Sequence, residues 1–202
     1  MAKFKNEHSE MDDAKVFLNK KVVYFGGNVT QTSSLNFIAA LREADSKPGM
    51  ITVVMTSDGG WVEGGMTMHD AVRSVRNEVL MVGAGAVHSA AVLPFEAGDY
   101  RMMYPSTRML LHDFSMNIHD STLTNLETFH NELKDLFKIY CAYVSQRSNL
   151  TEEHVKGLMK KETYLSATTA KELNLIDAII PPFPKGQTIA KKTKRKSNAR
   201  KS

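Results

Sequence analysis

The sequence is poor in cysteine and has no long apolar run. Its 202 residues include one cysteine, Cys141, which excludes an intramolecular disulfide framework and a cysteine-based zinc site. No run of 18 apolar residues occurs, so the sequence predicts no membrane-spanning helix. Residues 1–13 mix both charge signs and hold no apolar stretch, unlike a signal or transit peptide. Together these features lead us to expect a cytoplasmic protein.

Basic charge is concentrated at one end of the chain. Residues 185–202 contain eight Lys or Arg and no acidic residue, although the formal net charge of the whole chain is only +4. Removing these eight from the 26 basic residues leaves 18 against 22 acidic ones, a net charge of −4 for residues 1–184. We therefore predict a flexible N-terminal segment over 1–17, a mildly acidic domain over 18–184 and a disordered basic tail over 185–202. The tail is the one part that suggests nucleic acid or an acidic partner.

Apolar runs and helical periodicity alternate along the predicted domain. Runs rich in β-branched residues at 22–27, 51–56 and 79–85 predict buried strands. After each of the first two runs, apolar residues recur at helical spacing and predict a helix. An amphipathic helix is predicted from about 121 to 146. Strands alternating with helices indicate the α/β class, with a core large enough to fold without disulfides.

Three segments carry candidate chemistry. The glycine pair in 55–65 can direct backbone N–H groups at a carbonyl oxygen, or it can simply form a strand-to-helix turn. Ser89 lies among small residues between a strand and a helix, where it is either a nucleophile or a buried helical serine. His112 ends an apolar strand, where it either reaches a cleft or is a solvated histidine. From the residues alone, both interpretations of each segment stay open.

Taken together, these segments resemble the ClpP family of self-compartmentalising serine peptidases, over about Leu18 to Ile180. The family motifs correspond in order to Ser57-Asp58-Gly59-Gly60, to Gly85–Val92 with Gly98, to Pro105–His112 and to Tyr164–Asp177. The resemblance implies Ser89 as the nucleophile, His112 as its general base and Glu162 as the acid of the triad. It also implies the N–H groups of Gly59 and Ala90 as the oxyanion hole. No metal and no cofactor are implied.

The resemblance further implies a fold and an assembly. The expected fold is the ClpP/crotonase-like spiral of ββα units, in which the helix at 121–146 is a protruding handle. Family members form two stacked heptameric rings, into which a separate AAA+ unfoldase feeds unfolded polypeptides for ATP-dependent degradation. This chain contains no Walker motif, so the ATPase is expected to be another protein.

The chain departs from the family pattern at several positions near the predicted site. Glu162 stands for an aspartate, Asp58 for a proline and His88 for an alanine, while Ala90 and Ala91 replace Met-Gly. We do not expect His88 to be the base, because the side chain preceding a helical serine points elsewhere. The departures leave an alternative open, a catalytically weak or inactive subunit with a structural or regulatory role in a mixed ring. An acyl-CoA hydratase or isomerase of the same superfold is disfavoured by the match at Ser89 and His112.

Overall fold

The computed structural model describes residues 15–115 and 122–182, which contain eight strands and six helices. The strands are β1 (Lys15–Asn19), β2 (Val22–Gly26), β3 (Ile51–Ser57), β4 (Val79–His88), β5 (Tyr100–Met103), β6 (Arg108–Leu111), β7 (Thr163–Ser166) and β8 (Ala178–Ile179). The helices are α1 (Gln31–Asp45), α2 (Val62–Arg73), α3 (Val92–Glu96), α4 (Leu123–Gln146), α5 (Glu152–Lys160) and α6 (Ala167–Glu172). A 3₁₀ turn at Ser89–Ala91 joins β4 to α3.

The strands form one mixed sheet in the order β1-β2-β3-β4-β5-β8. The pairs from β2 to β8 are parallel, and β1 closes the edge as an antiparallel hairpin with β2. Parallel strands joined through helices produce the α/β class that the sequence predicts, so this prediction is confirmed.

Strand β4 pairs with two different partners on the same side. Its first half, Leu80–Gly83, lies beside β5, and its last residues, Ala86–His88, lie beside β6. Gly85 stands between the halves with φ +75°, a backbone conformation that glycine adopts without steric cost. The register between β3 and β4 shifts at the same place: Met55 faces Gly83, but Ser57, two residues on, faces Val87. β4 thus contains two extra residues there, and the bulge turns its end toward β6.

The predicted boundaries differ from the observed ones in a few places. β4 runs on to His88, whereas the sequence predicts a strand that ends at residue 85. The strand β1 has no counterpart in the prediction, and it crosses the expected domain boundary at residue 18. Residues 1–14 of the predicted N-terminal segment and the whole predicted tail, 185–202, lie outside the described residues.

Helix α4 is exposed over its first half and packed over its second. Thr122 caps it by accepting a hydrogen bond from the Asn125 N–H, and every residue from 122 to 132 is exposed. Leu136, Tyr140 and Val144 then enter the core. At 1.5 Å per residue, the 24 residues span about 36 Å, so the outer half projects from the domain. In the described parts of the chain, no helix is both long and apolar enough to cross a bilayer.

A buried ionic cluster lies under the α3 end of the sheet. The Arg101 guanidinium donates to Glu96 Oε2 at 2.6 Å and to Asp177 Oδ1 at 3.0 Å. Burial raises the pKa of Glu96 to about 8, even though Arg101 favours its ionised form. Asp177 is only partly buried, and the hydrogen bonds from Arg101 outweigh that burial and lower its pKa. Glu96 is therefore the member of the cluster whose charge is costly for the fold.

We predict that this cost appears as a pH dependence of stability. A raised carboxyl pKa means that the folded chain holds a proton that the unfolded chain releases near pH 4.5. The free energy of unfolding of the wild type should thus fall, relative to that of Glu96→Gln, as pH rises from about 4.5 to about 8. The difference should reach roughly 3 to 5 kcal/mol and stay constant at higher pH. Urea unfolding across this range measures it, with Glu172→Gln as the exposed control. Parallel curves for wild type and Glu96→Gln would contradict the prediction.

Candidate active site

The predicted site is assembled by three parallel strands that end at the same edge of the sheet. In the ladders, Ser57 at the end of β3 faces Val87 of β4, and His88 at the end of β4 faces Leu110 of β6. The residues that follow each strand therefore come together, as expected for the carboxyl ends of parallel strands. These are Gly59 after β3, Ser89 after β4 and His112 after β6.

Ser89 occupies a sharp turn between a strand and a helix. Its φ of +55° is a left-handed conformation that costs a non-glycine residue about 1 to 2 kcal/mol. Such strain persists only where the surroundings fix it, and it is frequent at functional sites. Here the Tyr140 hydroxyl of α4 donates to the Ser89 carbonyl oxygen at 3.1 Å. Burial, with Glu96 nearby, raises the Tyr140 pKa well above its ordinary value, so the phenol stays protonated and remains a donor.

The glycine turn after β3 is held by backbone hydrogen bonds to the segment following β2. The Val29 N–H donates to the Gly59 carbonyl oxygen at 2.7 Å, and the Trp61 N–H donates to the Val29 carbonyl oxygen at 2.8 Å. Gly59 has φ +92°, and a Cβ there would lie 2.6 Å from the His88 carbonyl oxygen and from Ser89 Cβ. Only glycine allows this approach. The Gly59 N–H donates to Ser57 Oγ at 3.1 Å.

Ser89, His112 and Gly59 line one cleft of about 270 Å³. Its wall also includes Asp58 and Phe114. His112 is half-buried, and it directly follows Leu111, which is fully buried in β6. Three of the five predicted site residues thus share this cleft.

The other two predicted residues, Ala90 and Glu162, do not line the cleft. Ala90 is buried, and its backbone nitrogen would be 3.1 Å from a Cβ on Gly59, so the two candidate oxyanion donors are neighbours. Glu162 is exposed and adopts φ +49° just after α5. β6 and β7 are antiparallel with Leu111 facing Thr163, so the next pair of that ladder would be His112 and Glu162. Among the described residues, Ser89 Oγ, His112 and Glu162 form no side-chain hydrogen bonds with one another.

Sequence reasoning did not identify two features of the site. One is Tyr140 in the long helix α4, whose hydroxyl supports the Ser89 turn. The other is a contact between His88 Nδ1 and Asp58 Oδ1 at 3.2 Å, which joins two of the departures from the family pattern. Asp113, the carboxylate next to His112 in sequence, accepts a hydrogen bond from the Phe114 N–H instead.

A larger cleft of about 620 Å³ lies between α4 and α5, and none of the five predicted site residues lines it. Over the ranges 15–115 and 122–182, no three His, Cys, Asp or Glu side chains are grouped as metal ligands.

Comparison with known proteins identifies relatives over most of the chain. A family model described as Clp protease matches residues 5–182. The ATP-dependent Clp protease proteolytic subunit 2 of Pseudomonas aeruginosa is 28% identical over 166 residues, which cover 81% of this chain and 82% of the relative. The subunit of the same name from Borreliella burgdorferi is 27% identical over 171 residues, covering 82% and 85%.

A solved structure shares the fold. A ClpP1 mutant from Listeria monocytogenes superposes with a TM-score of 0.73 over 81% of this chain and 92% of that chain, at 23% identity. The predicted ClpP-type α/β fold is therefore confirmed.

We predict that Gly59 tolerates no side chain. Gly59→Ala should lower the free energy of unfolding by about 2 kcal/mol or more, because the added Cβ meets the His88 carbonyl oxygen in a left-handed conformation. Gly157→Ala in α5 is the matched control, since its Cβ would have nothing within 4 Å, and it should stabilise the chain by about 0.5 to 1 kcal/mol. Urea unfolding of both variants tests this, and equal midpoints for Gly59→Ala and wild type would disprove the close approach.

Proposed function

Because the chain belongs to the Clp protease family, we propose that it is a serine endopeptidase subunit that hydrolyses peptide bonds of unfolded polypeptides. Family membership makes it a ClpP-type protease subunit, and the serine chemistry is the specific part of the proposal. The observation that carries it is the shared cleft, in which Ser89 on a strained turn faces the same space as His112 and Gly59.

In the acylation step, Ser89 Oγ attacks the carbonyl carbon of the scissile peptide while His112 takes the hydroxyl proton. The carbonyl oxygen becomes an oxyanion, which the N–H groups of Gly59 and Ala90 stabilise. To do so, Gly59 has to give up or share its hydrogen bond to Ser57 Oγ. The C–N bond then breaks, the amine leaves with the proton from His112, and an ester on Ser89 remains.

In the deacylation step, a water molecule takes the place of the amine. His112 accepts a proton from the water as its oxygen attacks the ester carbon, and a second oxyanion forms at the same two N–H groups. The bond to Ser89 Oγ breaks, and the proton returns to that oxygen. The products are a free carboxylic acid and a regenerated Ser89. We assign Glu162 the role of orienting His112 and stabilising its charged form, since the β6–β7 ladder continues toward that pair.

The assembly forms the second part of the proposal. The projecting half of α4 carries apolar side chains at Leu123, Leu126 and Phe129, which are 81%, 38% and 41% exposed. An isolated domain gains nothing by exposing them, whereas a second copy of the chain can cover them. They support the ring-shaped assembly of two stacked heptamers expected from the family, supplied with unfolded polypeptide by a separate AAA+ unfoldase in the cytoplasm.

Two observations favour the alternative of a weak or inactive subunit. The Gly59 N–H is already satisfied by Ser57 Oγ, and the Glu162 side chain makes no hydrogen bond within the described part of the chain. A subunit in which this arrangement persisted would bind polypeptide without cleaving it.

A fluorophosphonate probe distinguishes the two functions. It phosphonylates an activated serine, so the wild type should be labelled on Ser89 and Ser89→Ala should not be labelled at all. Ser115, the other serine lining the cleft, provides the matched control, and Ser115→Ala should keep the label. Mass spectrometry of the peptide containing Ser89 measures the extent of labelling. An unlabelled wild type would reject the serine peptidase and favour the inactive subunit.

The role of Glu162 is tested by the rate of the same reaction. Glu162→Ala should slow labelling by about 10² to 10⁴-fold, because an unoriented imidazole is a poor base. Glu162→Asp should retain more of the rate than Glu162→Ala, since aspartate is the acid of the family pattern. Glu172→Ala, another exposed glutamate, is the control that should react like the wild type. Equal rates for Glu162→Ala and Glu172→Ala would exclude Glu162 from the triad.

A further inference from the structure

Two residues that depart from the family pattern meet beside the predicted oxyanion hole. Asp58 directly precedes Gly59, and His88 directly precedes Ser89. Their side chains meet at ion-pair distance, with His88 Nδ1 3.2 Å from Asp58 Oδ1. The contact depends on the bulge in β4, because the shifted register sets Ser57 opposite Val87 and so brings the next residues, Asp58 and His88, side by side.

The surroundings of His88 fix its ring in one orientation. Its side chain is 16% exposed, and the Tyr164 ring packs against it edge to face, with centroids 5.6 Å apart. Its Nε2 is buried without a hydrogen-bond partner among the residues that the structure describes. Nδ1 faces the Asp58 carboxylate and is therefore the nitrogen from which the ring can donate to Asp58. Neither nitrogen bonds the Ser89 hydroxyl, so any effect of His88 on the site comes from holding neighbouring residues in place.

The glycine turn at Gly59–Gly60 needs a support on the side that faces the end of β4. Gly59 and Gly60 both have positive φ, and glycine is the residue with the most backbone freedom to lose. The Val29 segment holds the turn from one side by backbone hydrogen bonds. On the opposite side, the Asp58–His88 contact ties it to the end of β4, next to the nucleophile.

We propose that Asp58 and His88 form a clasp that positions the Gly59 N–H relative to Ser89 during catalysis. The inference rests on the proposed function, because it concerns the oxyanion donor of that reaction. The clasp has two effects. It limits the movement of the donor, and displacement of a donor by even 1 Å is costly for catalysis. It also directs the Asp58 carboxylate toward an imidazole N–H, whereas an unpaired carboxylate on the cleft wall would oppose the charge that develops on the substrate oxygen.

Fluorophosphonate labelling of a double-mutant cycle tests the clasp. Asp58→Ala and His88→Ala should each slow labelling of Ser89 by about tenfold, and the double variant should be no slower than either single one. His88→Asn should recover most of the rate, because the asparagine Nδ2 can donate from the place of the imidazole Nδ1. A purely structural histidine would show no such rescue.

The chain supplies a matched control. His69 Nδ1 and Asp70 Oδ1 form a similar pair at 3.0 Å on α2, with Asp70 exposed, and neither residue lines the cleft. Asp70→Ala should leave the labelling rate unchanged. If Asp58→Ala and His88→Ala also react like wild type, or if their effects multiply in the double variant, the clasp is wrong. A faster reaction of Asp58→Ala would equally overturn it, since it would show that the carboxylate only repels the oxyanion.

Hydrogen exchange separates this inference from the proposed function. In the intact assembly, Asp58→Ala and His88→Ala should accelerate exchange of the amides in 58–65 several-fold, while Asp70→Ala and His88→Asn should not. If the wild type is not labelled but exchange responds in this way, the serine peptidase fails and the contact still anchors the turn. If the wild type is labelled and exchange is the same in all variants, the clasp fails and the serine peptidase stands.

Discussion

The two-residue bulge in β4 is the constraint on which the rest of the site depends. It is centred on Gly85, whose φ of +75° lets the strand bend away from β5 and pair with β6. The same bulge moves Ser57 of β3 from alignment with Gly85 to alignment with Val87. Without it, Ser89 would extend past Gly59, and β6 would have no strand to pair with and place His112 near Ser89. A register error of one residue also turns every following side chain to the other face of the sheet.

The strained turn at Ser89 is maintained by packing on several sides. α2 approaches closely enough that Gly65 contacts the Ala90 backbone with no room for a Cβ between them. α4 contributes the Tyr140 hydroxyl to the Ser89 carbonyl oxygen. The cost of a left-handed serine is thus distributed over contacts from two helices. The outer half of α4 projects with exposed apolar side chains, so the helix proposed to meet another subunit is also the one that supports the Ser89 turn.

The elements that the sequence predicted well have strong local signals, and those it missed have none. Apolar runs predict β2 and β3 almost to the residue. Strand β1 offers only three apolar residues between Lys15 and Asn19, a weak local signal. It lies at the sheet edge with three of its five residues exposed. Its hairpin turns at Lys20 with φ +58°, without the glycine or asparagine that marks such a turn. Glu162 adopts a similar conformation, equally unmarked, and this is why its position relative to His112 could not be derived from spacing.

Asp58 and His88 show a more general limit of motif comparison. Judged one position at a time, each looks damaging, since one puts a carboxylate near the proposed oxyanion hole and the other replaces a small residue beside the proposed nucleophile. They are 30 positions apart in the chain, and only the shifted ladder between β3 and β4 brings them within 3.2 Å. In the folded chain the carboxylate faces an imidazole nitrogen, so the two departures form one contact. A divergent active site is therefore better judged by the contacts between its altered residues than by the number of residues altered.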